Sequence, residues 1–156
     1  MDKELRQAKN ISFRLLKFRP RSEKELSFRL KIKKIPAGTI KKAVSLLKQA
    51  GFLNDREFAR FWIKSRIEAG YGFVRIEKEL REKGVDRDLI FESISLFRKE
   101  TDSLGIIEAL VQKRVKRYRN KGKLDTKRRL FQYLGGRGFA RKNIIRVLEE
   151  LDYEDI

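Results

Sequence analysis

Apolar residues along this chain recur every three to four positions, with little of the strict alternation that marks a strand. The pattern also repeats on a longer scale. With Leu80 as origin, Ile76 lies four residues before it, Val85 five after, Ile90 ten after, Ile94 fourteen after and Phe97 seventeen after. The same offsets from Leu30 reach Leu26, Ile35, Ile40, Val44 and Leu47, and from Leu134 they reach Leu130, Phe139, Ile144, Leu148 and Leu151. The position four after the origin is the exception in every copy: Lys34, Gly84 and Gly138. Such self-similarity is the signature of an internal repeat. Units about fifty residues apart sit near the lower limit for burying a core alone, so stacking of neighbours is the expected source of stability.

Start and stop signals resolve each repeat into three helices. Residues 3 to 18 carry Leu5, Ala8, Ile11, Leu15, Leu16 and Phe18 at helical spacing, and Pro20 stops that helix by disfavouring helical geometry at Arg19. Ser22 with Glu25 forms a capping-box pattern opening a helix to about residue 33, and Pro36 fits the first turn of a third helix to about residue 50. Asn54 with Glu57 opens a fourth, to about residue 69, which Gly70 and Gly72 break. The fifth covers residues 74 to 83 and stops at Gly84, and Asp86 caps a sixth to about residue 98. The third repeat begins at Asp102 with the longest predicted helix, to about Asn120, with Leu104, Ile107, Val111, Val115 and Tyr118 on one face. Asp125 is expected to cap a helix through Leu134, Gly135 to Gly138 to form a flexible turn, and residues 141 to 151 to form the last helix. The acidic tail DYEDI, residues 152 to 156, is expected to fray. The predicted fold is all-α, an elongated, curved array of three tandem three-helix repeats over residues 1–50, 51–100 and 101–156, about nine helices in all.

Composition narrows the function. The chain has no Cys and no His, so it lacks disulfides, thiolate metal sites, the commonest general base and the most reactive nucleophile. The carboxylates at Asp55, Glu57 and Glu68 read as a capped amphipathic helix, and the glycines at 135 to 138 lack both the Lys-Ser/Thr and the preceding strand of a phosphate loop. A non-enzyme is expected, with no catalytic residue, metal or cofactor. No apolar run is long enough to span a bilayer and the opening MDKELRQAKN has no signal-peptide character, which predicts a cytoplasmic protein that avoids membranes and is expected to be monomeric.

Charge is the strongest functional signal. Of a formal net charge of +18, residues 1 to 50 hold 15 Lys/Arg against 4 Asp/Glu, residues 51 to 100 hold 11 against 10, and residues 101 to 156 hold 14 against 8. Excess of this size attracts a polyanion or an acidic protein surface. Ten cations crowd one stretch: Lys113, Arg114, Lys116, Arg117, Arg119, Lys121, Lys123, Lys127, Arg128 and Arg129, opposed only by Asp125. A second cluster joins Lys31, Lys33, Lys34, Lys41 and Lys42 to Arg19 and Arg21. Both are candidate partner or DNA-binding surfaces. Phe13, Phe18 and Phe28 lie beside Arg or Lys, which fits base stacking, but Phe is normally buried and they are assigned to the core, as is Trp62.

Three linked stretches, RPRSEKEL (19 to 26), GFLNDREFARFWIKSR (51 to 66) and RIEKELREKGV (75 to 85), resemble the RecX family of bacterial recombination regulators. That resemblance implies tandem three-helix repeats without catalysis. It also implies binding to the RecA recombinase filament on single-stranded DNA, limiting filament growth, ATP hydrolysis and strand exchange. The chain departs from the repeat at Lys34, where the other copies have Gly and where a different turn geometry is expected, and in its high charge, which leaves a second reading open, a basic module acting mainly on single-stranded and possibly double-stranded DNA.

Overall fold

The computed structural model describes residues 2–151, so the acidic tail lies outside the described residues. Among these, the elements are α1 (Lys3–Phe18), α2 (Glu23–Ile32), α3 (Ala37–Gln49), α4 (Asp55–Glu68), α5 (Phe73–Glu82), α6 (Arg87–Glu100), α7 (Ser103–Val115), a 3-10 turn (Lys116–Tyr118), α8 (Lys123–Gly136) and α9 (Arg141–Glu150), with no strand. The all-α repeat fold stands as predicted.

Local chemistry accounts for most boundaries. Arg19 is extended (φ −164°) ahead of Pro20, which ends α1. Ser22 forms the full capping box, its side chain accepting from the Glu25 backbone while the Glu25 side chain accepts from the Ser22 N–H. Asn54 Oδ1 accepts from the backbone of Arg56 at 2.9 Å and of Glu57 at 3.3 Å, and Asp86 Oδ1 does the same for Asp88 and Leu89 at 2.9 and 3.3 Å. The middle helix of each repeat ends in one hydrogen-bonded turn: Ile35 N to Leu30 O at 3.2 Å, Val85 N to Leu80 O at 3.1 Å, and Phe139 N to Leu134 O at 3.3 Å. That turn needs a left-handed residue. Gly84 and Gly138 adopt φ of +77° and +88°, and Lys34 adopts +59°, so the lysine keeps the geometry of the glycines it replaces.

Of the repeated apolar positions, fourteen are buried; Ile40, Val44, Phe97 and Leu151 are half-buried. The three origins, Leu30, Leu80 and Leu134, have no exposed surface.

Packing divides the chain into two compact units. One holds Met1–Trp62 and Glu79–Ser93, the other Ile63–Lys78 and Ile94–Ile156. In the first, α1, α2 and α3 pack pairwise around Leu5, Ala8, Leu26, Leu30, Ala43 and Leu47. In the second, α7, α8 and α9 pack pairwise around Ile107, Val111, Leu130, Leu134, Ile144 and Leu148.

Several expectations are corrected. The helix from Ser103 leaves α geometry at Val115 instead of running to Asn120, so α1 with 16 residues is longer. Lys113, Arg114, Lys116 and Arg117 crowd that end without an acidic neighbour at helical spacing, and like charges there weaken a helix. Asp125 does not cap α8. Gly122 does, without a side-chain bond, and Asp125 lies in the first turn, paired with Arg128 and Arg129. Gly135 and Gly136 continue α8 rather than forming a turn, and Pro36 is the cap of α3 rather than a residue of its first turn. The phenylalanines leave the core: Phe13, Phe18 and Phe28 are 39%, 85% and 61% exposed. Phe28 shows why. At about 100° per residue it points roughly 200° from both Leu26 and Leu30, which take the buried face of α2. Trp62 is half-buried, its indole Nε1 donating to Glu79 Oε2 at 2.9 Å.

Candidate functional site

The stretch from Arg19 to Leu26 builds a joint within the first unit. Ser22 Oγ, 3.1 Å from the Glu25 N–H that it accepts, donates to the carbonyl of Lys83 at 2.7 Å. Lys24 Nζ donates to the carbonyl of Glu82 at 3.0 Å. Glu25 receives Arg19 through both nitrogens at 3.1 Å and Lys83 Nζ at 2.7 Å. Burial alone would raise the Glu25 carboxyl, but the hydrogen bonds from Arg19 and Lys83 outweigh it and hold it down to about 2. Lys83 Nζ also sits 4.2 Å over the Trp62 ring. Beside this network the Glu23 backbone donates to Asp55 Oδ1 at 2.9 Å, and burial pushes the Asp55 carboxyl up.

The second unit contains the equivalent joint, made from backbone. Fifty residues after Ser22 stands Gly72, whose N–H donates to the Arg137 carbonyl at 2.8 Å, while Val74 N–H donates to the Gly138 carbonyl at 3.1 Å. Arg137 returns the contact, Nη1 donating to the Ala69 carbonyl at 2.9 Å and lying with Arg66 and Arg75 around the Tyr71 ring at 4.6, 3.8 and 4.5 Å. Both joints match the N-terminus of one middle helix to the C-terminal turn of the next.

The predicted interface residues separate on this frame. Arg19 is committed to Glu25, and Arg21 is half-buried with Nε 3.4 Å from the Leu15 carbonyl. Lys33 and Lys34 are exposed at the opposite end of α2, about 15 Å away at 1.5 Å per residue, so the first cluster is split. In the second unit Arg114 reaches Tyr118 Oη at 3.3 Å and covers the Tyr133 ring at 4.3 Å. Arg128 and Arg129 pair with Asp125 at 2.6 and 2.7 Å, and the hydrogen bonds from Arg129 and Arg128 pull its carboxyl down. Lys127 is half-buried and Lys123 exposed. Lys113, Lys116, Arg117, Arg119 and Lys121 are exposed and without a partner among the described residues.

These five follow one another along one short stretch of chain. They occupy the last turn of α7, the 3-10 turn and the link to α8, which is fixed by Lys121 N donating to the Tyr118 carbonyl at 2.8 Å and Thr126 Oγ1 donating to the Lys121 carbonyl at 2.9 Å. A fixed row of unneutralised cations is suited to phosphate. Sequence reasoning found the row but not Phe52, which stands 57% exposed beside Phe13. Lying between helices, Phe52 belongs to no periodic pattern. No helix among the described residues is long and apolar enough to cross a membrane.

Comparison with known proteins agrees with this architecture. Residues 8–47 match the family model of the first three-helix domain of RecX, and residues 54–93 that of the second. The regulatory protein RecX of Caldanaerobacter subterraneus subsp. tengcongensis is 33% identical over 148 residues, 93% of this chain and 71% of that protein. The regulatory protein RecX of Haemophilus influenzae is 33% identical over 131 residues, 83% of this chain and 85% of that protein. The crystal structure of RecX from Lactobacillus salivarius shares the fold, with a TM-score of 0.81 at 21% identity over 97% of this chain and 99% of that one.

Proposed function

The chain belongs to the RecX family of regulatory proteins, and from that membership we propose that it binds the RecA recombinase filament on single-stranded DNA and limits filament extension, ATP hydrolysis and strand exchange. It acts by binding, in the cytoplasm, as a monomer, and needs no cofactor. The observation that supports this reading most directly is the set of free cations Lys113, Lys116, Arg117, Arg119 and Lys121. On a nucleoprotein filament such a row meets phosphate, while the remaining repeats contact protein. Contacts linked in one chain reinforce one another through effective concentration, so individually modest interactions suffice. Arg19, Arg114, Arg128 and Arg129 contribute less to this surface than their charge implies, because each already has an intramolecular partner.

The same cations favour a second reading, a module whose main partner is DNA, single-stranded or double-stranded, at the surfaces formed by Lys33, Lys34 and the row from Lys113 to Lys127. One titration separates the two. RecA ATPase activity on single-stranded DNA is measured against increasing protein, with binding to naked single-stranded DNA followed in parallel at the same salt. Inhibition well below the concentration that coats naked DNA supports filament regulation, and inhibition that only tracks coating refutes it. Joint replacement of Lys113, Arg117 and Lys121 by Gln should flatten the log-log salt dependence of naked-DNA binding by about 2 to 3, as each phosphate contact contributes about 0.7 to 0.9. An unchanged slope would remove this row from the interface.

A further inference from the structure

A groove of about 420 Å³ opens on the first unit between α1 and the turn that leads into α4. Phe13, Leu16, Pro20 and Phe52 give it an apolar lining, and Lys17 and Arg21 bring two cations to it against one carboxylate, Glu57. Its rings are held in place. Gly51 turns the chain at φ +77°, Phe52 N–H donates to the Leu47 carbonyl at 2.9 Å, and Leu53 N–H donates to the same oxygen at 3.2 Å. Leu53 is thereby buried and Phe52 faces outward, its ring meeting Phe13 edge to face at 5.1 Å. Large apolar groups fixed at the surface are pre-organised for contact, since little freedom remains to be lost on binding. Burial pulls the Arg21 guanidinium down and the charge of Arg19 adds to this, with the Glu25 carboxylate opposing them, so a further carboxylate brought beside it would favour the charged guanidinium.

We propose that this groove is a docking site for a protein partner, taking an acidic segment with one bulky apolar residue. The apolar side chain enters beside Phe13 and Phe52, and the flanking carboxylates meet Lys17 and Arg21. Two alternatives fit less well. The rings stand at 85° to each other and offer no parallel lane for stacked bases. A second copy would bring an equally basic surface against this one, since residues 1 to 50 hold 15 Lys/Arg against 4 Asp/Glu. The inference extends the proposed function by giving protein contact a surface apart from the phosphate-facing row, and it rests on that reading only for which protein supplies the segment.

The test uses the full chain and two fluorescein-labelled synthetic peptides rich in Glu, one with a central Phe and one with Ala in its place, followed by anisotropy. The Phe peptide should bind about tenfold or more tightly than the Ala peptide, the discrimination one large apolar group supports in a pocket. Phe52→Ala, at an exposed position, should abolish that preference while the helical circular dichroism and cooperative melting are retained, and Lys17→Glu should weaken both peptides. Equal binding of the two peptides, or a preference that survives Phe52→Ala, overturns the proposal. So does oligothymidylate binding that falls with Phe52→Ala, which assigns the groove to nucleic acid, or a dimer in sedimentation that dissolves in Phe52→Ala, which assigns it to a second copy. Failure of the unaltered chain to affect recombinase ATPase activity would sink the proposed function alone, leaving the peptide measurement to decide the groove.

Discussion

Gly72→Ala isolates the backbone joint of the second unit. The glycine is not at positive φ, so alanine brings no left-handed strain, and crowding is the main cost. A Cβ there would lie 2.3 Å from the Gly138 carbonyl oxygen and 2.6 Å from the Phe139 nitrogen, atoms of a main chain that cannot swing aside like a side-chain tip. The two segments must separate. Two backbone hydrogen bonds, Gly72 to Arg137 and Val74 to Gly138, stretch with them, at about 0.5 to 1.5 kcal/mol each. Overpacking adds about 1 to 3 kcal/mol, and the smaller unfolded-state entropy of alanine returns about 0.4 to 1 kcal/mol. The expected net loss is about 1 to 5.5 kcal/mol, read as a drop in the urea midpoint by circular dichroism. Gly135→Ala is the control, because that glycine is helical with open space around it and alanine should stabilise it by about 0.5 to 1 kcal/mol. Equal midpoints for the two variants would refute the joint as described.

Three further outcomes follow from particular residues. Leu80→Ala, at an origin of the repeat without exposed surface, should lose about 2 to 5 kcal/mol of unfolding free energy, and a loss below about 1 kcal/mol would contradict its place in the core. Lys34→Gly should raise stability by about 0.5 to 1 kcal/mol in thermal melts, since an L-residue in left-handed geometry costs about 1 to 2 kcal/mol and glycine's extra unfolded-state freedom offsets part of the relief. Glu25 has its folded pKa held at about 2, below the ordinary 4.5, so its ionised form contributes stability above pH 4.5 that is lost as pH falls toward 2. Glu25→Gln should therefore be less stable near neutral pH, with the difference in urea midpoint narrowing across that window; a difference constant with pH would exclude the linkage.

Features whose physics is local are legible along the chain. Helix starts at Ser22, Asn54 and Asp86 depend on a side chain reaching an N–H two or three residues away, and the repeat offsets from Leu30, Leu80 and Leu134 mark one helical face. The turn at Lys34, where the other copies have Gly, is not legible in this way, and the structure shows that it keeps their left-handed geometry while Ile35 returns to the core. Tertiary structure decided the rest. Phe28 and Leu30 have similar hydrophobicity, and only the packed face of α2 distinguishes the exposed ring from the buried leucine. Arg19 and Lys116 are equal in a count of charge, yet Arg19 is neutralised by Glu25 in a network that closes through Lys83, far along the chain, while Lys116 faces solvent alone. The close approach that excludes a side chain at Gly72 exists only once Gly138 is placed against it. Backbone geometry is set within a few residues, whereas burial, ion pairing and close approach depend on which distant surfaces meet.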